Sequence, residues 1–195
     1  MPPLSASDIA AALYGLTRLA RLEPAGLDFF EATPAGLLKS YWGAIALLPL
    51  YLVTLVVVLA TADASVSVDP LRYITVKTIT YVIDWVAFPL AILSLAPMIG
   101  LDDRVFRFLV PLNWLQVPIN LGLLVLILLF SVMAIPAAVA TLINLVIVVA
   151  LLAMTVALAR YALDVPWWAA AGMGLLNITL GLFLLSVASA MILRP

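Results

Sequence analysis

Five apolar runs, each long enough to cross a bilayer and separated by only a few residues, dominate this chain of 195 residues. A transmembrane helix needs roughly 20 mostly apolar residues to cover about 30 Å of hydrocarbon, so five or six spans exhaust the length and leave no soluble domain. With 67% hydrophobic and only 10% charged residues and a mean hydropathy of +1.28, this much apolar surface has no solvent other than lipid. The fold expected is all-α: a polytopic membrane bundle of five transmembrane helices with an N-terminal amphipathic interfacial helix.

The same composition excludes several functions. A net charge of -1 without any Lys/Arg block lacks the electrostatic footprint of a nucleic-acid binder. The chain has no Cys and no His, which removes disulfides, thiolate chemistry, the usual zinc and haem ligands, and the common general base near neutral pH. There is no phosphate-cradling glycine loop, no G-x-S-x-G elbow and no paired acidic metal motif. Asp102 and Asp103 are adjacent, but beside Arg104 and Arg107 they read as a solvated turn. No catalytic residue, metal site or cofactor is expected, and the chain reads as non-enzymatic. The first residues lack the pattern of a cleaved secretory signal, so the sequence is expected to be that of the mature protein.

Residues 1–36 form the N-terminal amphipathic and interfacial region, and residues 37–195 the transmembrane domain. Over residues 7–22, Ile9, Leu13, Leu16 and Ala20 share one helical face while Thr17, Arg18 and Arg21 share the opposite one. This helix suits the headgroup layer or the surface of a neighbouring protein, with Ser5 or Ser7 as its cap. Pro24-Ala25-Gly26-Leu27 recurs as Pro34-Ala35-Gly36-Leu37, and both read as helix openings, the second with Thr33 as its capping hydroxyl. Phe29 and Phe30 between them are expected to dip into the interface. Spans follow at about 42–62, 71–100, 106–132, 136–160 and 167–193, with Pro49 near the middle of the first and expected to kink it. The second is too long for a perpendicular crossing and should tilt, bend at Pro89 or extend beyond the bilayer. Short loops make successive helices antiparallel neighbours.

Orientation follows from the basic residues near the helix ends. One side holds Arg18, Arg21, Lys39, Arg104, Arg107 and Arg160; the other holds Arg72 and Arg194. The N-terminus is therefore expected in the cytoplasm and the C-terminus outside it. Trp42, Trp114, Trp167 and Trp168 all fall near the same side, where amphipathic rings prefer to sit.

A few polar residues break the apolar pattern. Lys77 and Asp84 share a helical face with Tyr73 and Thr80, yet about 10 Å separates the two charges along the axis, too far for easy pairing. Lys77 can snorkel toward the non-cytoplasmic surface. Asp84, near mid-span, must accept hydrogen bonds from other helices or be protonated. Asn113, Gln116 and Asn120 form an i, i+3, i+7 stripe on the third span, flanked by Pro111 and Pro118; Asn144 and Asn177 lie near the middle of the fourth and fifth, with Tyr51 and Thr54 at similar depth on the first. Together they make a candidate polar intramembrane site, read either as a proton-linked or solute site or as amides gluing helices together. On the fifth span Ala170, Gly174, Asn177, Gly181 and Ala188 mark a face of small residues, for packing within the chain or for a homo-oligomer.

Five spans with these chain ends and minimal loops resemble the Yip family of Rab/Ypt-interacting membrane proteins and their bacterial relatives, over about Leu37 to Leu193. Tyr81-Val82-Ile83-Asp84-Trp85-Val86-Ala87-Phe88-Pro89-Leu90 and Phe108-Leu109-Val110-Pro111-Leu112-Asn113-Trp114 look similar to segments of bacterial proteins of this kind. The Asp-Leu-Tyr-Gly-Pro segment associated with eukaryotic members is missing. Arg outnumbers Lys amid abundant Ala, Leu and Val, which points to a GC-rich bacterial gene and so to a bacterial inner membrane. The function expected is a membrane scaffold or assembly component whose partners are the lipid bilayer and other membrane proteins; the alternative is a small transporter, or a subunit of one, with its site around Asp84.

Overall fold

The computed structural model describes residues 1–61, 68–133 and 135–193. Among these residues the chain is all helix: α1 (Ala6–Ala20), a 3-10 turn (Pro24–Phe29), α2 (Pro34–Ser40), α3 (Trp42–Thr61), α4 (Pro70–Leu95), a second 3-10 turn (Ala96–Ile99), α5 (Val105–Val132), α6 (Ala137–Leu163) and α7 (Trp167–Leu193). Five helices are long and apolar enough to cross a membrane, with α2 and α3 together supplying the first and α4 with its terminal turn the second. The protein is thus an integral, multi-pass membrane protein. Ala62, expected to end the first span, and Arg194, counted on the far side, lie outside the described residues.

Local chemistry accounts for the ends. Ser5 caps α1 in a capping box, its hydroxyl accepting from the Asp8 amide at 3.1 Å while the Asp8 carboxylate accepts from the Ser5 amide at 2.9 Å. Thr33 accepts from the Gly36 amide at 3.0 Å and opens α2 ahead of Pro34. The first Pro-Ala-Gly-Leu makes only the 3-10 turn, without a side-chain cap. The long second segment resolves its length by leaving α-geometry at Ala96, before Pro97, and ends on Gly100 at a φ of 67°, a left-handed conformation that glycine adopts without strain. α6 runs past Arg160 to Leu163 and stops at Asp164 (φ 54°); there Arg104 donates to the Leu163 carbonyl at 3.3 Å.

The core lies at one end. Nearly all of its buried side chains belong to α1, the first 3-10 turn, α2, the last turns of α4 and α6, the first half of α5 and the start of α7. We call this end, which holds the N-terminus, proximal. Phe108, Leu109, Val110 and Leu112 of α5 are almost wholly buried there, because α1, α2, α3, α4 and α6 all pack against α5. In the distal halves of α5, α6 and α7 most side chains are exposed. Neighbours in sequence do touch, as expected from the short loops, but α3 with α5 and α4 with α7 form equally prominent pairs.

The N-terminal region packs as a cap on the proximal end, by a different face from the one its amphipathic pattern marks. Ala12, Gly15, Leu16 and Leu19 are buried, whereas Ile9 and Leu13 are exposed together with Tyr14. The reason is close approach: a Cβ on Gly15 would stand 2.6 Å from the Phe30 ring, and one on Gly26 2.8 Å from the Gly15 carbonyl. Phe30 is therefore buried beneath α1, while Phe29 stays at the surface, edge-on to Tyr14 at 4.7 Å. Trp114, expected in an interfacial belt, lies buried under this cap; Trp167 and Trp168 remain exposed as a belt requires. The Trp42 indole donates to the Pro2 carbonyl at 3.1 Å.

Ion pairs stitch the same end together. Lys39 contacts Glu31 at 2.9 Å and Asp8 at 3.4 Å, Arg107 contacts Asp28 at 3.5 Å, and Arg104 and Arg160 share Asp164. Arg18 is tied to Glu23 at 2.7 Å and lies over the Phe29 ring. The hydroxyl and amide of Ser5, with Lys39 beyond them, hold the Asp8 carboxyl below its ordinary range, and Lys39 with Thr33 does the same for Glu31.

Gly15→Leu is expected to drive α1 off the Phe30 ring at a cost of about 1–3 kcal/mol, seen as faster tryptic cleavage at Arg18 and Arg21 with overall helicity kept. Because both carboxyl pKa values are depressed in the folded cap, their contribution is complete above the ordinary carboxylate range and is lost as pH falls through it. Hydrogen exchange of the α1 amides, corrected for intrinsic rate, should be constant from about pH 7 to 5 and rise below about 4.

Candidate functional site

Intramembrane hydroxyls and amides mostly satisfy themselves on their own helix. Thr54 donates to the Leu50 carbonyl, Thr78 to Ile74, Thr80 to Val76, Ser94 to Leu90, Asn120 to Gln116 and Asn144 to Ala140, each at 2.7–3.0 Å. An ionised carboxylate has no such recourse, because it only accepts and amides in a helix interior already donate along the helix. Asp84 is in this position at the middle of α4, and among the described residues no hydrogen bond or ion pair reaches it.

The setting of α4 explains where Asp84 faces. The Tyr81 hydroxyl donates to the Ala44 carbonyl at 2.7 Å and that of Tyr51 to the Lys77 carbonyl at 2.9 Å, with the two rings stacked at 4.5 Å. These contacts fix α4 against α3, and Asp84 then faces α7. Its Oδ1 is 3.9 Å from where a Cβ would stand on Gly181, which places the carboxylate at the α4–α7 seam.

Asp84 lines a groove of about 270 Å³ with Gln116 and Asn120 of α5, Thr155 of α6 and Asn177 of α7, walled by Ile119, Leu123, Leu151 and Leu182. It is exposed there rather than sealed into the core. Four of the seven polar residues expected together thus meet: Asp84, Gln116, Asn120 and Asn177. The other three are elsewhere. Asn113 is fully buried nearer the proximal end, where α2 covers α5, and its Nδ2 donates to the Ser40 hydroxyl at 3.0 Å. That hydroxyl donates in turn to the Leu37 carbonyl at 2.6 Å, while Asn113 Oδ1 is without a partner among the described residues. Asn144 is exposed on the outer surface of α6. Lys77 is half-buried, its ammonium 5.9 Å from the centre of the Tyr73 ring.

Sequence reasoning missed Thr155, a single hydroxyl inside an apolar run with no flanking signal. The small-residue face of α7 is used within the chain: Ala170, Gly174 and Ala188 are buried, and a Cβ on Gly174 would meet Val156 at 2.7 Å. A larger groove of about 500 Å³ lies between the end of α4 and the start of α7, but Ile92, Leu95, Ile99, Val165, Trp168 and Met173 give it an apolar lining without chemistry. Among the described residues no group of acidic side chains is placed to hold a metal.

Ser40→Ala should destabilise the protein by about 1–3 kcal/mol by taking away the partner of a buried amide, and adding Asn113→Leu should recover part of the loss; unfolding in detergent reads both. Comparison of the chain with protein-family models, with curated proteins and with solved structures finds no match in any of the three.

Proposed function

We propose that this protein is a non-enzymatic component of membrane assemblies, which scaffolds or organises other membrane components from a bacterial inner membrane, its N-terminus cytoplasmic and its C-terminus outside. The observation that carries this reading is Asp84: an acidic side chain at mid-span, exposed in a groove and without a hydrogen-bond donor among the described residues. A charge at the centre of a span costs on the order of 2.5–3.5 kcal/mol by insertion measurements, and contact with another membrane component relieves that cost. Asn144 adds a second polar point on the outer surface of α6. At the proximal end the exposed Ile9, Leu13 and Tyr14 of α1 offer an apolar strip to the lipid interface.

A second reading has one specific support. The same groove, at about 270 Å³, has room for a small solute, as a transporter or transporter subunit requires. Asp84→Asn separates the two. Under the assembly reading the variant is made at normal abundance, solute accumulation in cells is unchanged, and a stoichiometric partner retained in gentle detergent is lost. Lost accumulation at normal abundance, with assembly intact, would replace assembly by transport.

A further inference from the structure

Resting on the assembly reading, we infer that the Asp84 groove receives a lysine or arginine side chain from a transmembrane helix of a different membrane protein. The Asp84 carboxyl needs hydrogen-bond donors, and among the described residues none reaches it. Gln116 and Asn177 line the same space, yet neither amide bonds the carboxylate. A cation supplies both the donors and the opposite charge.

The lining matches a long basic side chain in two parts. Ile119, Leu123 and Leu182 suit an alkyl stem, while Asp84 and Asn177 suit the charged head. The rim matches a helix rather than a small ion, because Val148, Leu182 and Leu185 are apolar and exposed beside the groove. A helix laid along them covers that surface as its basic residue reaches in, whereas a solute would leave it bare.

A second copy of this chain does not fit the role. Lys77 lies seven residues from Asp84, about 10 Å along the axis, so a copy in the same orientation sets its ammonium at another depth. On the small face of α7, Gly174 is packed against Val156 and Leu152 of α6 and Gly181 lies beside Asp84 of α4.

The test uses the full chain in phosphatidylcholine vesicles with synthetic poly-Leu/Ala transmembrane peptides bearing one central Lys, Leu or Glu. Because the chain has no Cys, Val149→Cys can carry a single fluorophore for energy transfer. The Lys peptide should associate at least tenfold more tightly than the Leu peptide, with the preference kept in Asp84→Glu, lost in Asp84→Asn and turned toward the Glu peptide in Asp84→Lys. Should Asp84→Asn fail to fold, Gly181→Leu, which sets a side chain against the carboxylate, should abolish the preference as well. Equal association of Lys and Leu peptides, or a preference that survives both variants, overturns the inference. So does Asp84-dependent uptake of tetramethylammonium, which would assign the groove to a small cation. The assembly reading is judged separately, by the stoichiometric partner in gentle detergent, whatever the peptides do.

Discussion

The first half of α5 is the post to which the rest of the molecule is fastened. From Val105 to Leu115 nearly every side chain is buried, an unusual state for a membrane helix, which normally gives part of its circumference to lipid. Lipid tails are as apolar as leucine, so there is little hydrophobic gain in such packing, and close steric fit has to hold it. The fit comes from α2 and α3 on one side, α6 on another and the N-terminal cap over the end. Gly15, Gly26 and Gly43 sit where a Cβ would collide with Phe30, with the Gly15 backbone or with Val117. The polar cap is part of the same fastening, because Arg107 leaves α5 to meet Asp28 in the first 3-10 turn.

Concentrating the packing at one end has a consequence at the other. Toward the distal side α5, α6 and α7 expose most of their side chains, and the polar groove lies where the close-packed half gives way to the open one. A groove at that depth can be polar because the helices around it do not close upon each other. Gly181 of α7 lies beside Asp84 there, and Asp84 is exposed rather than sealed into a core, where an unpaired charge would cost far more.

The helix bounds were largely legible in the sequence, because a crossing helix needs about 20 apolar residues in a run. Expected spans at 106–132 and 167–193 meet helices at Val105–Val132 and Trp167–Leu193. What each side chain faces was far less legible, since lipid and neighbouring helix both accept apolar residues and the 3.6-residue pattern that betrays a soluble helix disappears. Asn144 and Asn177 looked equivalent by depth, yet one faces outward and the other lines the groove. The Asn113–Gln116–Asn120 stripe divides for a related reason: its members share a face, but α2 covers α5 only at the proximal end and so captures Asn113 alone. In α1 the visible Ile9–Leu13 stripe gave way to Ala12, Gly15 and Leu19, because small residues that permit close approach carry little weight in a hydropathy pattern.

The polar residues of the spans differ less in polarity than in what they can do with a hydrogen. Serine and threonine each have one to donate and asparagine two, and a helix always offers the carbonyl one turn back, so a hydroxyl in hydrocarbon costs little and says little. Thr54, Thr78, Thr80, Ser94, Asn120 and Asn144 are among those that take that course here. A carboxylate inverts the requirement, needing donors that a helix interior has already committed. It must take up a proton or be met from outside its helix, and both routes join its state to something that varies: acidity in one case, a neighbour in the other. Asn144, though exposed, places one N–H on the Ala140 carbonyl. Asp84, while ionised, has no such recourse on its own helix, and its state is joined to what enters the groove it lines.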